Sequence, residues 1–206
     1  MHIVENDSTN RLFTGKSTRP KPTALLVAAV LMATLAISVP AQAQTKPSLV
    51  VTPLNAARFY GNTNPQFTGT VTGLVKGDTI TVTYASVADT TSPVGDYQII
   101  ATLNDPDHHL ANYVVTVNTG TLSVAPAPLS IVANDVTRAA GQANPAFAGT
   151  ISGVQNGENI TATYDSSATA GSPAGTYPIL PTLKDGAGTI GNYALTISNG
   201  TLTITP

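Results

Sequence analysis

Ile80-Thr81-Val82-Thr83-Tyr84 returns eighty residues later as Ile160-Thr161-Ala162-Thr163-Tyr164. Each stretch alternates apolar side chains with threonine. Successive side chains of a strand point to opposite faces, so a period of two with β-branched residues reads as a half-buried strand. A helix would need apolar positions every three or four residues, and no segment beyond the N-terminal leader shows that pattern with caps. The same offset relates all of Leu49–Pro126 to Leu129–Pro206 without a gap. The chain therefore carries one module twice, and the second copy is an internal control. What the module needs should be present in both copies.

Outward from that stretch, turn signals punctuate each copy. Gly61–Pro65 and Gly141–Pro145 end the first strand, and Lys76-Gly77-Asp78 and Asn156-Gly157-Glu158 precede the third. About six strands per module follow: Leu49–Arg58, Phe67–Thr72, Thr79–Ala85, Asp96–Leu103, Tyr113–Val117 and Thr121–Val124, repeated in the second copy. The predicted core is Val51, Phe67, Val71, Ile80, Val82, Tyr84, Tyr97, Ile99, Leu103, Tyr113, Val117 and Leu122. Asn199-Gly200 lies between Leu195-Thr196-Ile197 and Leu202-Thr203-Ile204, where a tight hairpin or a bulge would use glycine at positive φ. Ala125-Pro126-Ala127-Pro128 reads as an extended, semi-rigid linker that sets the modules end to end.

Residues 1–43 read as a signal peptide with a long polar n-region. Arg11, Lys16, Arg19 and Lys21 precede the apolar run Ala24–Val39, and Ala41-Gln42-Ala43 is a small-x-small cleavage signal. The run is shorter than the roughly 20 residues a spanning helix needs. Cleavage is expected after Ala43, leaving 44–126 and 127–206 as the two modules, with no stable membrane insertion. The chain has no cysteine, so neither disulfides nor lipid attachment at cysteine supports it. Beyond the leader only Lys46, Arg58, Lys76, Arg138 and Lys184 are basic, against nine acids. That balance gives no basic patch for nucleic acid or for electrostatic membrane docking.

Several residue groups carry the resemblance to a known family. They are Arg58-Phe59-Tyr60-Gly61-Asn62-Thr63-Asn64-Pro65, Gly73-Leu74-Val75-Lys76-Gly77-Asp78, Ser92-Pro93-Val94-Gly95-Asp96-Tyr97, and Asn112-Tyr113 with the closing Gly120-Thr121-Leu122. Together these resemble the MBG domain of secreted bacterial adhesin-like repeat proteins. The second copy departs from it with Ala140-Gly141 where the family favours Tyr-Gly. The resemblance implies an extracellular β-rich stalk or spacer with an adhesin-like role and no catalytic residues. The expected fold is all-β: two tandem immunoglobulin-like sandwich modules joined by the short Pro-rich linker. Gly95-x-Tyr97 and Gly175-x-Tyr177 resemble the corner tyrosine of immunoglobulin-like sandwiches. Pro178 and Pro181 oppose a central strand there, because proline lacks the N–H a ladder needs. A β-grasp module with a short helix near Gly73–Gly77 is the alternative.

Candidate chemistry is sparse. Asp105-Pro106-Asp107-His108-His109 gathers ligand types for a divalent metal, although adjacent histidines point apart in extended chain. The second copy reads Asp185-Gly186-Ala187-Gly188-Thr189, so such a site is no property of the module, and Asp-Pro also opens an ordinary turn. Phe59 and Tyr60 become Ala139 and Ala140; they could form a sugar-binding face in the first copy or cover the module's end. Ser92 and Ser172 precede proline in a turn rather than a nucleophile elbow. The expected protein is a non-enzymatic, cofactor-free monomer, exported to the cell surface, the medium or the periplasm. Its partner would be an extracellular protein or glycan, and a small carbohydrate-binding module is the alternative function.

Overall fold

The computed structural model describes residues 45–206, so the expected signal peptide and its cleavage after Ala43 lie outside the described residues. The first module contains β1 (Ser48–Pro53), β2 (Ala56–Phe59), β3 (Gly69–Thr72), β4 (Thr81–Ala85), β5 (Gly95–Asn104), β6 (Val114–Val117) and β7 (Gly120–Ala125). The second repeats them as β8 (Ala127–Ala133), β9 (Val136–Ala139), β10 (Gly149–Ser152), β11 (Ile160–Asp165), β12 (Gly175–Asp185), β13 (Tyr193–Ser198) and β14 (Gly200–Thr205). Short 3-10 turns at His109–Asn112 and Ile190–Asn192 are the only helical elements among the described residues. Gly73–Gly77, where the β-grasp alternative places a helix, holds turns and irregular chain.

Each module is a β-sandwich of two small sheets, ordered β3-β1-β6 and β2-β7-β5-β4 in the first copy. The expected first strand is broken at Leu54-Asn55: β1 lies in one sheet and β2 in the other. The closing strand breaks in step, β6 pairing parallel with β1 and β7 parallel with β2. Pairs Ser48↔Val114 and Ala56↔Leu122 keep one offset across the break. At the break, side chains take over the ladder. Asn55 Oδ1 accepts the Thr121 N–H at 2.9 Å, and Asp135 Oδ1 accepts that of Thr201 at 2.7 Å.

This geometry corrects the hairpin reading of Asn199-Gly200. The flanking segments β13 and β14 belong to different sheets, and neither Gly200 nor Gly120 has positive φ. Glycine is needed there for close approach. A Cβ on Gly200 would lie 2.6 Å from the Asn134 carbonyl oxygen, and one on Gly120 would lie 3.1 Å from that of Leu54.

The prolines are accommodated by a similar handover. Strand β12 pairs with β14 over Gly175–Ile179 and with β11, on its other flank, over Leu180–Asp185. Each half therefore has one open edge. Pro178 and Pro181, three residues apart, direct their missing donors to opposite flanks, as the handover requires. The linker is also structured: Ala127-Pro128 already belongs to β8, which pairs with β13 from Ala127↔Tyr193.

Among the predicted core residues, Val51, Ile80, Ile99, Tyr113 and Leu122 are buried. Phe67, Val82, Tyr84, Tyr97 and Leu103 are half-buried. Val71 and Val117 are exposed. They lie on the two outer strands of a three-stranded sheet, where only the central β1 is covered from both sides.

Candidate functional site

The apolar clusters do not follow the repeat. Leu49, Ile80 and Tyr113 form a small cluster at the leading end of the first module. Their counterparts Leu129, Ile160 and Tyr193 belong to a larger one, with Ala127 and with Tyr60, Ala88, Ile99, Leu122 and Val124 of the first module. Ala133, Ala168, Ile179, Leu202 and Ile204 close the trailing end of the second. The trailing half of the first module and the leading half of the second thus share one core.

Tyr60 is the plug of that joint. It follows β2, is 3% exposed, and donates its N–H to the Ala125 carbonyl at 2.8 Å. Its ring meets Tyr193 edge to face, with centroids 5.6 Å apart. Its hydroxyl donates to Glu158 Oε1. Glu158 Oε2 accepts the hydroxyls of Tyr193 and Thr189, each at 2.7 Å. The Gln155 N–H donates to the Tyr193 hydroxyl at 2.9 Å. Burial and the neighbouring Glu158 raise both phenols above their ordinary value, Tyr193 to about 12. Burial opposes the Glu158 charge, yet hydrogen bonds from Tyr60, Tyr193 and Thr189 outweigh it and hold the carboxyl below its ordinary value.

Polar contacts rim the plug. The Val94 N–H donates to Asn192 Oδ1 at 3.0 Å, and Asn156 Nδ2 donates to the Thr90 carbonyl at 3.1 Å. Gly61, at φ +82°, lies so close to the second module that a Cβ would come 2.5 Å from the Gln155 side chain. Gly141 has the same φ, +80°, with open space around it.

An arginine clip supports each trailing end. Arg58 is buried, with Nε donating to Asn64 Oδ1 at 2.7 Å, Nη1 to the Phe59 carbonyl at 3.2 Å, and Nη2 to the Asp89 carbonyl. Asn64 Nδ2 donates to the Ala88 carbonyl at 2.6 Å. Arg138 repeats the set on Asn144, Ala139 and Thr169, and Asn144 reaches Ala168. The guanidinium is satisfied by neutral oxygens, and the arginine-to-Asn-Pro spacing in both copies is its sequence signature.

Comparison with protein-family models matches the MBG domain (YGX type) at residues 49–123 and again at 129–203. The chain belongs to the MBG domain family. A comparison with curated proteins finds no match. In this MBG chain the Tyr-Gly pair at Tyr60-Gly61 is what seats one module on the next: the tyrosine fills the joint and the glycine lets the neighbour approach.

The sequence-predicted site residues fall in different places. Tyr60 is inside the joint, so its ring offers no sugar-stacking face, while Phe59 is 53% exposed beside it. The proposed metal ligands do not converge, and among the described residues no group of three or more His, Cys, Asp or Glu side chains is placed to hold an ion. Asp105 accepts the backbone N–H groups of His109 at 2.9 Å and Leu110 at 2.8 Å. The Leu110 bond leads in holding its carboxyl below the usual range. Asp107 accepts from Thr79. His109 Nδ1 approaches Asp78 Oδ1 to 2.9 Å in a direction that misses hydrogen-bond geometry. His108 takes φ 59° in the turn, where the second copy has Gly188. Asp185 repeats the Asp105 cap, its N–H donors led by Ile190 at 2.9 Å.

Tyr97 donates its hydroxyl to the Pro93 carbonyl at 2.8 Å, and Tyr177 to that of Pro173 at 3.0 Å. Gly95 and Gly175 open these strands at φ +153° and +155°.

Proposed function

We propose that this protein is an exported, non-enzymatic tandem repeat that serves as a stiff spacer and adhesin-like interaction module at the cell surface. The observation that carries this reading is the shared core of the joint, with Tyr60 seated between Tyr193 and Glu158. A flexible tether has no use for a buried aromatic plug, whereas a spacer that must hold its distal module in a fixed direction does. The leader composition supports export.

Immunolabelling of cells expressing the full chain tests location: labelling of intact cells is expected, and signal confined to permeabilised cells removes the surface reading. The carbohydrate alternative rests on the exposed Phe59. On a glycan array, the wild-type protein is expected to bind nothing. Saturable binding lost in Phe59→Ala would put a lectin-like module in place of the spacer.

A further inference from the structure

We propose that the leading end of the first module is an acceptor for the tyrosine-bearing trailing end of a further MBG module on another polypeptide. The inference rests on the joint geometry, whatever the cellular location. The molecule shows one such joint occupied, and the same surface recurs eighty residues earlier.

The acceptor groups of the second module have counterparts in the first. Asp78 stands for Glu158, Tyr113 for Tyr193 and Asn112 for Asn192. The Tyr113 hydroxyl donates to Asp78 Oδ2 and accepts the Val75 N–H at 3.0 Å, as Tyr193 does with Glu158 and Gln155. What differs is cover. Val154 packs against the joint core, but its counterpart Leu74 is 38% exposed, and neighbouring Val75 is 49% exposed. Ala127 is 1% exposed, whereas its counterpart Pro47 is exposed. Pro47 lines a cavity of about 380 Å³ with Thr45, Lys46 and Asn112. That cavity lies at the asparagine that in the second module receives the Val94 N–H. The first module therefore presents a polar acceptor ringed by exposed apolar residues, matched in chemistry to a tyrosine plug.

The trailing end of the second module is blunt by one side chain. The Ala140 N–H donates to Thr205 at 2.8 Å as that of Tyr60 does to Ala125, and the glycine after each has nearly the same φ. The backbone of the plug is in place without the phenol. A second copy of this chain is thus a poor occupant, and a module ending in Arg-x-Tyr-Gly is the fitting one.

Restoring the phenol makes this testable on the full chain. Ala140→Tyr should associate head to tail with other copies. Such a heterologous contact leaves a free end on each added copy until a ring closes, so sedimentation velocity should show weight-average mass rising with concentration past that of a dimer. Wild type should remain monomeric, and adding Val75→Lys or Asp78→Ala to Ala140→Tyr should restore the monomer. Val75→Lys changes an exposed side chain only, so it separates lost docking from lost folding. A folded Ala140→Tyr protein that stays monomeric, or association that survives both added substitutions, overturns the proposal.

Discussion

Arg58 and Arg138 show how single residues hold the module's end. Each spreads a planar guanidinium over three oxygens at once, and lysine, a point donor, cannot match the fork. Arg58→Lys should destabilise the protein by about 2 kcal/mol, because a compact ammonium cannot make the buried guanidinium's three bonds at once and Asn64 Oδ1 loses its donor, while the Phe59 and Asp89 carbonyls keep the N–H groups of Asn62 and Ser92; urea unfolding measures it, and Arg138→Lys should cost a similar amount. His108 is the opposite case, a side chain placed where glycine belongs. Left-handed backbone costs a non-glycine residue about 1 kcal/mol or more. His108→Gly should therefore raise stability by up to ~1 kcal/mol, with the glycine's extra unfolded-state freedom limiting the gain. A thermal melt of that variant below wild type would mean His108 makes a contact that outweighs its strain. At this scale the sequence made the corner tyrosines legible, since Tyr97 and Tyr177 bond locally, four residues back. It hid the role of Tyr60, whose partners lie 98 and 133 residues away in the chain. It also hid the dispersal of the Asp105–His109 cluster, because proximity along the chain does not settle where each side chain points.

The elements explain what the alternation pattern could and could not reveal. Strand positions were legible because period two is local. The break of the first strand at Leu54-Asn55 was not, since the apolar pattern hardly changes while the chain passes from one sheet to the other. Asn55 and Asp135 mark the crossing only once their acceptor role is seen. Gly200→Ala tests the crossing directly. Its Cβ would press on backbone, which cannot rotate away, so a cost of about 2 kcal/mol is expected. Gly120→Ala, with more room, should cost less, and equal costs would argue against close approach as the reason for the glycine. Pro181 tests the handover within β12. If its N–H position faces an open flank, Pro181→Ala forms no ladder bond and changes stability by no more than ~1 kcal/mol, through unfolded-state entropy. A larger stabilisation in urea titrations would reveal a strand partner on that flank.

The two modules joined through one apolar cluster should behave as one cooperative body in unfolding. Removing a buried aromatic ring typically costs about 3–5 kcal/mol. Tyr60→Ala should therefore split a single calorimetric transition into two, and an unchanged single transition would show that the joint contributes little. The pH dependence follows from the same phenols. The folded Tyr193 is raised to about 12 from 10.0, so the folded state holds its proton more tightly than the unfolded chain does. The resulting stability is fully present below pH 10 and is lost as pH climbs toward 12. Glu158, held below 4.5, has the reverse sign: its contribution is present above that value and fades as pH falls through the lowered one. The joint should be strongest across the neutral range and weaken at both extremes. In Tyr193→Phe the alkaline loss of the urea midpoint between pH 10 and 12 should shrink while the acid limb persists. An alkaline limb as steep as that of wild type would place the titrating group elsewhere than in the joint.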